Sequence, residues 1–532
     1  MTSTYNRLRR AATVTSGVIS LIAVASTMAF ADLPSDLVPR GSGVYGALAV
    51  LAKGHLLPDG NDAATFVGAA ARLRSRGEIA SMVSTFRING DESQLTSNEA
   101  AALEFLTAYL ADPQVSDHTP KWRSAAGYAG SLTGEIGGRK IQGDDQKGFA
   151  DGFGDLHVFG TNGSIYYAAG ASNYYQQRAN SVSFNTRAGG VTPDDDIRQR
   201  SGLEDAYVAW QGARGIQVNV GVKSRRWGPG YAGDLMFSDS APARPGIELN
   251  VPIWLGHVLK LYRFTQIQET YKNLDKTVYV GMRRLEHPLD HHWDLDLQES
   301  YSATKFRSPA ILFMPYYAYQ KAFIANHQEP NEFNYQVNGG LTYKTGGDND
   351  GNDVYLQFLI DDIQSPDSIS LGNKVKRKVG YLVGLDQTFP ASGTSVAAEY
   401  ARTDPGTYSK TAAGREPLSW FVSDLPIGHP IGSNGQEVFG RLGQRLSSRL
   451  DLALTGTVRR RIDSSFPAPN DTLVTAALAY HVNANQSVGV RFADFREDPY
   501  NGAVVINSAP GGADYGVKVR EKVVALDYQI GF

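Results

Sequence analysis

From about Trp122 to the carboxyl terminus, apolar and polar residues of the chain alternate with a period of two. In one run, Val218, Val220 and Val222 alternate with Asn219 and Lys223. The same alternation recurs in residues 293–297, 379–385, 450–454 and 474–482. Because successive side chains of a strand point to opposite faces of a sheet, these runs predict strands with one apolar face. The other face carries charged residues and glycine.

This two-faced pattern is typical of two kinds of β protein. An outer-membrane barrel turns its apolar face to lipid and its polar face to water. A soluble β-sandwich also alternates, so the period by itself leaves both architectures open. The mature chain has no run of about 18 apolar residues, so we expect no transmembrane helix. If it spans a membrane, a closed barrel is the remaining way to pair every backbone polar group inside a bilayer.

The last strand favours the barrel. Its apolar positions alternate up to the carboxyl end, at Val524, Leu526, Tyr528, Ile530 and Phe532. A terminal Phe on such a strand resembles the signal read by the outer-membrane barrel-insertion machinery, which is therefore an expected partner during biogenesis. We count about 18 strands, an even number as in these barrels. The sequence thus predicts an all-β transmembrane barrel of antiparallel strands over residues 119–532, with outer-membrane lipid around it.

The connections between predicted strands alternate in length over the C-terminal half. Residues 390–393 and 482–486 are short connections, whereas 404–435 and 496–520 are long. Short turns belong on the periplasmic side and long loops outside, which agrees with a final strand that ends at the periplasm. Residues 247–253 also alternate as a strand would, but Pro252 disfavours a strand there. Whether this strand forms decides the side on which the preceding loop lies.

The N-terminal region has a different character. Residues 1–31 have the features of a signal peptide, with a basic start, an apolar stretch densest at 18–25 and the cleavage site Ala29-Phe30-Ala31. This predicts export to the bacterial outer membrane and a mature chain that starts at Asp32; an uncleaved anchor is the alternative. Residues 32–118 show helical spacing. Thr96 and Glu99 form a capping box. The favoured interpretation is a small periplasmic helical segment.

Composition narrows the function classes further. The chain has 532 residues, a net charge of -3 and no long basic run, which argues against a nucleic-acid partner. It has no cysteine, so disulfides, thiolate metal sites and acylation of an N-terminal cysteine are excluded. The sequence contains no G-x-S-x-G elbow, P-loop or zincin motif. We therefore expect no enzyme, no cofactor and no metal.

The most distinctive motif directly follows a predicted strand. Its candidate sugar-binding residues are Arg225, Arg226, Trp227 and, downstream, Arg244, and its candidate turn residues are Gly228, Pro229, Gly230 and Pro245. Glycines around a proline favour a tight, preset turn. An aromatic face can stack on a sugar, and a guanidinium offers a planar fork of donors for carboxylates. Residue types alone favour a purely structural turn with Trp227 as an interfacial anchor.

In these residues and in several further short sequence motifs, the chain resembles the Wzi family of outer-membrane capsule-assembly proteins. The motifs are Trp227-Gly228-Pro229-Gly230, Ser238, Arg244-Pro245, Arg284-Leu285-Glu286, Asp361-Asp362, Glu399-Tyr400, Tyr408-Ser409 and Gly428-His429-Pro430-Ile431-Gly432. The family usually has a second aromatic residue where this chain has Arg226. The resemblance implies an 18-stranded barrel with a periplasmic helical bundle. It also implies a lectin-like protein that holds exported capsular polysaccharide or exopolysaccharide at the surface, with an export translocon as a further partner.

Other candidate sites have simpler interpretations. Residues 348–353 resemble the start of a calcium loop, but they lack its glycine at position six and its glutamate at position twelve. The histidines near Pro288 are expected to be exposed. Asp361 and Asp362 point to opposite faces and are expected to fix a loop at a strand end. Glu399 is expected in a lumen salt bridge.

Two other function classes stay open from the sequence. A porin-like diffusion channel would show the same alternation, with lumen charges such as Asp294, Asp296 and Lys378 setting its selectivity. An outer-membrane hydrolase ranks lower because no catalytic constellation is visible.

Overall fold

The computed structural model of the chain describes a few N-terminal residues and most of the region after residue 123. The described residues are 47–48, 51, 79–80, 82–83, 95, 97–111, 124–141, 147–162, 165–176, 198–212, 216–223, 225–238, 243–251, 263–273, 276–289, 292–304, 333–345, 352–361, 378–389, 392–408, 421–422, 425–447, 449–462, 470–483, 486–497 and 519–531. The predicted signal peptide, residues 348–351 of the calcium-like loop, Thr96 and Phe532 lie outside them.

One helix of the N-terminal region is described in full. Helix α1 (Ser97–Ala111) starts directly after the predicted capping residue and ends before Pro113. Leu103 and Leu106 of this helix are buried. One helix is therefore present within residues 32–118, whereas the helical segment as a whole and its periplasmic location stay predictions. Among the described residues, no helix combines the length and the hydropathy needed to cross a bilayer.

After residue 123 the described chain consists of strands joined by turns and loops. The strands are β1 (Ser124–Ile141), β2 (Lys147–Asn162), β3 (Ile165–Gln176), β4 (Arg198–Gln211), β5 (Gln217–Lys223), β6 (Arg244–Val251), β7 (Arg263–Asn273), β8 (Lys276–Pro288), β9 (Trp293–Ala303), β10 (Phe333–Thr345), β11 (Asn352–Asp361), β12 (Val379–Phe389), β13 (Thr394–Thr403), β14 (Phe421–Val422), β15 (Leu425–Pro426), β16 (Gly435–Ser447), β17 (Leu450–Arg461), β18 (Asp471–Asn483), β19 (Gln486–Glu497) and β20 (Val519–Gly531).

Eighteen of these strands form one closed antiparallel sheet. Each strand pairs with the next along the chain, β13 pairs with β16, and β20 returns to pair with β1. The closing pair includes Leu132 opposite Tyr528 and Leu526 opposite Gly134. Strands β14 and β15 form a separate two-stranded ribbon. The predicted fold, a transmembrane barrel of about 18 strands, is confirmed; closure leaves no strand edge with unpaired backbone groups.

The outer surface of the barrel carries the apolar face that the alternation predicts. Exposed apolar side chains recur at every second position, as at Leu356 and Phe358 or at Val524, Leu526 and Tyr528. Aromatic pairs lie toward the two ends of this apolar band, as interfacial aromatics do. The ring centroids of Trp293 and Tyr343 are 4.6 Å apart near one end. Those of Tyr381 and Tyr400 are 5.8 Å apart toward the other.

The inner surface departs from the prediction over part of the wall. Gln217, Asn219 and Lys223 are inward-facing polar residues, as expected. The inward positions of β7, β8, β11 and β12 instead include fully buried apolar residues, namely Ile267, Val278, Val280, Met282, Leu359 and Leu382. A wholly polar lumen is thus wrong here. The physical reason is that chain segments folded into the lumen supply an apolar surface for these residues to pack against.

Strand β6 settles the side on which the Trp227 loop lies. It pairs with β5 and β7 and ends at Val251, so Pro252 follows the strand rather than interrupting it. Counting strands back from β20 places the β5–β6 connection at the same end of the barrel as the β13–β16 and β19–β20 connections. We call this the loop end; the opposite end, where β20 finishes, is the C-terminal end.

The lipid-facing surface yields a direct test. We expect Leu526→Arg, at a side chain that is 59% exposed, to reduce the free energy of unfolding by about 2–4 kcal/mol, because the charge enters the hydrocarbon layer. Urea unfolding in phosphatidylcholine vesicles measures this value. Leu526→Ala serves as the size control and should cost much less. Equal stability of the Arg and Ala variants would contradict a lipid-facing position.

Candidate functional site

Two loop-end segments fold into the lumen and pack together. The first plug segment comprises residues 225–238, between β5 and β6, and the second comprises residues 427–434, before β16. Most side chains of both segments are buried. The Ser238 backbone N–H donates to the Ile427 carbonyl oxygen at 2.8 Å. The two segments therefore form one body, which we call the plug.

The plug has an apolar core shared with the barrel wall. Its own contributions are Trp227, Leu235, Met236, Phe237, Ile427 and Ile431, and Tyr408, which follows β13, packs with them. The wall contributes residues of β7, β8, β11, β12 and β13 to the same cluster. Burying this many apolar side chains is the main stabilising term for the plug, as in the core of a soluble protein. The described plug thus packs against the lumen side of these strands.

The first plug segment is a closed turn built on Gly228. Trp227 and Phe237 form a bridge, in which the Trp227 N–H donates to the Phe237 carbonyl oxygen at 2.9 Å. Gly228 has a φ of 131°, a conformation that favours glycine. A Cβ atom there would also overlap the side chains of Asp234 and Gln357. The predicted turn residue is therefore required for two separate reasons.

Asp234 holds this turn from inside. Its Oδ1 accepts from the Gly230 N–H at 2.9 Å and from Gln357 Nε2 at 2.9 Å. Its Oδ2 accepts from Arg226 Nε at 2.7 Å. Gln357, on β11, also accepts from the Leu235 N–H at 2.9 Å. One carboxylate and one amide thus fasten the turn to the barrel wall.

The tip of the first plug segment reaches β13 and β16. The Ala232 N–H donates to Glu399 Oε2 at 2.6 Å, and the Tyr231 N–H donates to Oε1 of the same carboxylate. The Tyr231 ring stacks on Phe439 at a centroid distance of 5.5 Å, with the Arg441 guanidinium 5.2 Å from its centroid. The inward orientation predicted for Glu399 is confirmed. The predicted salt bridge is wrong, because backbone N–H groups of the plug satisfy this carboxylate instead.

Tyr408 joins the second plug segment to the first. It adopts a φ of 67°, uncommon for a residue with a side chain. Its N–H donates to Asp361 Oδ2 at 2.7 Å, which confirms the prediction that this aspartate fixes a loop at a strand end. Its hydroxyl donates to the Leu235 carbonyl oxygen and accepts from the His429 N–H at 3.1 Å. Contacts at both ends of the residue hold the unusual backbone conformation.

A buried ionic cluster anchors the start of the first plug segment. It contains three cations, Lys223, Arg225 and Arg244, and two carboxylates, Glu248 and Glu269. Glu248 Oε2 lies 3.0 Å from Arg225 Nε and 3.2 Å from Lys223 Nζ. Glu269 bridges Arg225 and Arg244, with its Oε2 2.6 Å from Arg244 Nε. Losing one partner of such a buried pair costs about 3–5 kcal/mol.

Burial shifts the pKa values of two plug residues that lie outside the strands. Burial raises the pKa of the Asp234 carboxyl to about 6, although Arg226 opposes the shift. Burial lowers the pKa of His429 to about 4, although Glu437 opposes that shift. His429 is therefore neutral at pH 7. Its Nδ1 accepts from the Ile431 N–H at 3.3 Å, which assigns the ring hydrogen to Nε2.

The predicted sugar-binding residues belong to the plug and its anchor. Trp227 is 6% exposed, with Phe237 against its ring, and the side chains of Arg225 and Arg244 are within the ionic cluster. Arg226, whose side chain is 19% exposed, is the most accessible of the four. Contact of these residues with a polysaccharide stays a prediction. Arg244 also lies over the Phe237 ring, 4.9 Å from its centroid.

Sequence reasoning missed several residues that hold the plug. They are Asp234, Gln357, Tyr355, Glu248 and Glu269. For the four that lie on strands the visible signal is strand parity, since Gln357, for example, alternates with exposed Leu356 and Phe358 and must therefore face inward. Asp234 lies in the plug turn and has no such signal. Among the weaker candidates, His292 Nδ1 lies 2.9 Å from the Lys344 carbonyl oxygen, and the side chain is exposed. His291 lies outside the described residues.

Comparisons with known proteins identify the fold. No family model and no curated protein matches the chain. Among solved structures, it is similar to Wzi of Escherichia coli, described as an outer-membrane protein involved in group 1 capsule assembly and a carbohydrate-binding β-barrel. That match has 12% identity and a TM-score of 0.55, and it covers 92% of this chain and 98% of that one. The fold is thus that of an outer-membrane β-barrel, as the resemblance in sequence implied.

Two further matches are Pseudomonas aeruginosa proteins. OccK9 (OpdG) is 11% identical with a TM-score of 0.43, covering 77% of this chain and 99% of that one. OccK5 (OpdH) is 12% identical with a TM-score of 0.41, covering 76% of this chain and 98% of that one.

The raised pKa of Asp234 predicts a specific pH dependence. Between pH 3.8 and about 6 the folded state holds more protons at this residue than the unfolded state. Its contribution to stability therefore falls as pH rises through that window and is constant above it. We expect the difference in thermal midpoint between wild type and Asp234→Asn to change across this range, in favour of wild type at the acid end. His429 contributes in the opposite direction, but it is present in both proteins, so its contribution cancels in the difference. A difference in thermal midpoint that does not change with pH would contradict the raised pKa of Asp234.

Proposed function

We propose that this protein is a non-enzymatic, lectin-like barrel of the bacterial outer membrane that retains an exported surface polysaccharide. The loop end would face the exterior and present the plug and the long connections to the polymer. The same proposal includes a periplasmic helical segment, a cleaved signal peptide and an export translocon as a partner.

The observation that carries this proposal is the plug. A pore for diffusion needs a continuous water-filled path, whereas the described plug places apolar side chains in the lumen against β7, β8 and β11–β13. Hydrogen bonds from backbone N–H groups of the plug to Gln357 and Glu399 of the wall then fix its position. This arrangement favours a rigid surface for binding over a channel. The likeness in fold to a carbohydrate-binding barrel supports the same direction.

The buried residues would serve binding by shaping the surface. Arg225 and Arg244 would anchor the first plug segment, and Trp227 would form its core, so that Arg226 and the loop-end connections meet the polymer. A single sugar contact is weak, but a long polymer repeats the same unit many times. Multivalent contact can therefore retain it without a deep pocket.

A pull-down with the host's own surface polymer tests the proposal. Trp227→Ala removes a buried aromatic side chain, which costs about 3–5 kcal/mol and is expected to disorder the plug surface. We therefore expect wild type to capture polymer and Trp227→Ala to capture much less. Trp293→Ala is the matched control, because Trp293 is 37% exposed on the outer surface near the C-terminal end.

Folded state is checked for each variant by the mobility of the unheated protein on denaturing gels. Failure of folded wild type to capture the polymer would contradict the proposal. So would equal capture by the two tryptophan variants. In cells, deletion of the gene should release polymer into the medium without stopping its synthesis.

A porin-like channel is the second candidate, and charged side chains in the lumen wall favour it. Arg284 Nε lies 3.0 Å from Asp296 Oδ1, and Lys344 pairs with Asp294, toward the C-terminal end. Such charges would set the selectivity of a pore.

Single-channel conductance in planar bilayers separates the two candidates. For a plugged barrel we expect no steady conductance in wild type and transient openings in Glu399→Ala, because that variant loses the acceptor for the plug tip. Steady, large conductance of wild type would instead support the channel.

A further inference from the structure

Three cations lie on the outer surface of the barrel at the loop-end margin of its apolar band. Arg520 and Lys522 have the same strand parity as Val524 and Leu526, so they face outward as those residues do. Arg496 has the parity of the exposed Phe492. All three cationic side chains are exposed. Along β19 and β20, the outward-facing side chains therefore change from apolar to positively charged within one or two outward positions.

The pairing register concentrates this charge. Arg496 lies directly opposite Arg520, and Lys522 lies directly opposite Asp494. Like charges at directly opposed positions destabilise a sheet. On the next strand, Lys140 of β1 is the register partner of Arg520, so three basic positions form one row across β1, β20 and β19.

One carboxylate offsets part of the charge. Arg496 Nε lies 3.1 Å from Asp494 Oδ1, and Arg496 Nη2 lies 3.2 Å from Oδ2. Within the part of the chain that the structure describes, neither Arg520 nor Lys522 has a hydrogen bond or ion pair. A cluster of Arg496, Arg520 and Lys522 around a single aspartate keeps a net positive charge. An anion bound between the strands would relieve the repulsion.

The position of the cluster identifies the kind of anion. It lies outside the barrel, so the lumen and the plug do not reach it, and it borders the band that contacts hydrocarbon. The groups found at that depth in a bilayer are lipid headgroups, and basic clusters at this level attract anionic lipids. Arginine pairs with phosphate through two parallel N–H donors.

We propose that Arg496, Arg520 and Lys522 bind the phosphate groups of a phosphorylated lipid headgroup in the leaflet at the loop end. The apolar residues below them, such as Val524, would contact the acyl chains of the same lipid. This surface depends on the barrel fold and its lipid-facing side, and it is independent of the proposed polysaccharide role. Either proposal can fail without the other.

Native mass spectrometry of the full-length mature barrel in neutral detergent tests this site. The probes are diphosphorylated lipid A, its fully dephosphorylated form and inorganic phosphate. We expect wild type to retain the diphosphorylated lipid and Arg496→Ala/Arg520→Ala to bind it about tenfold more weakly, because each cation near a membrane surface contributes to anionic lipid binding. The dephosphorylated lipid should bind weakly to both.

The matched control is Arg445→Ala/Arg449→Ala, which removes two exposed arginines at the C-terminal end. Arg445, like Arg496, is exposed and ion-paired. Its side chain is 55% exposed, and its Nε lies 3.6 Å from Asp451 Oδ1. We expect this control to retain the lipid as wild type does. Equal lipid affinity of both double variants would overturn the proposal. Equal binding of the dephosphorylated lipid, or binding of inorganic phosphate as tight as that of the lipid, would also overturn it.

Discussion

Backbone pairing between β20 and β1 is the constraint on which the rest of this structure depends. Inside a bilayer no water is available to satisfy an open sheet edge, so the sheet must close on itself. The pair β1–β20 joins the last strand of the chain to the first strand of the barrel. Closure turns one face of every strand outward to lipid and encloses a lumen, and the plug can form only because that lumen exists.

The plug behaves as a small soluble core built inside a membrane protein. Its apolar side chains pack against apolar wall residues, and several of its backbone N–H groups donate to a carboxylate and an amide of the wall. Buried polar groups need such partners, because an unsatisfied donor in a buried site is costly. The wall therefore has two kinds of inward residue, apolar ones for packing and polar ones for the backbone of the plug.

The geometry also separates two surfaces with different tasks. The loop end, stiffened by the plug and its ionic anchor, is the surface for which we propose polymer binding. The outer wall beside β19 and β20 carries exposed cations at the margin of the apolar band, where lipid headgroups lie. One barrel can carry both the polymer-binding and the lipid-binding surface. Residues that contact lipid and residues that hold the plug lie on the same strands, but their side chains face opposite directions.

The sequence by itself determined the strand architecture, because alternation reports directly which side chains share a face. It predicted the outward positions of Val524 and Leu526, the strand number and the inward orientation of Glu399. It also marked Trp227, Tyr408 and His429 as parts of one pattern, but it could not bring them together. Their contacts join segments far apart in the chain, and no local spacing encodes them.

Only the tertiary structure decided that Trp227 is buried, that Glu399 accepts plug N–H groups, and that part of the lumen is apolar. The physical reason is the same in each case. A two-residue period says that a side chain points inward, but the partner it meets there depends on which loop enters the closed barrel.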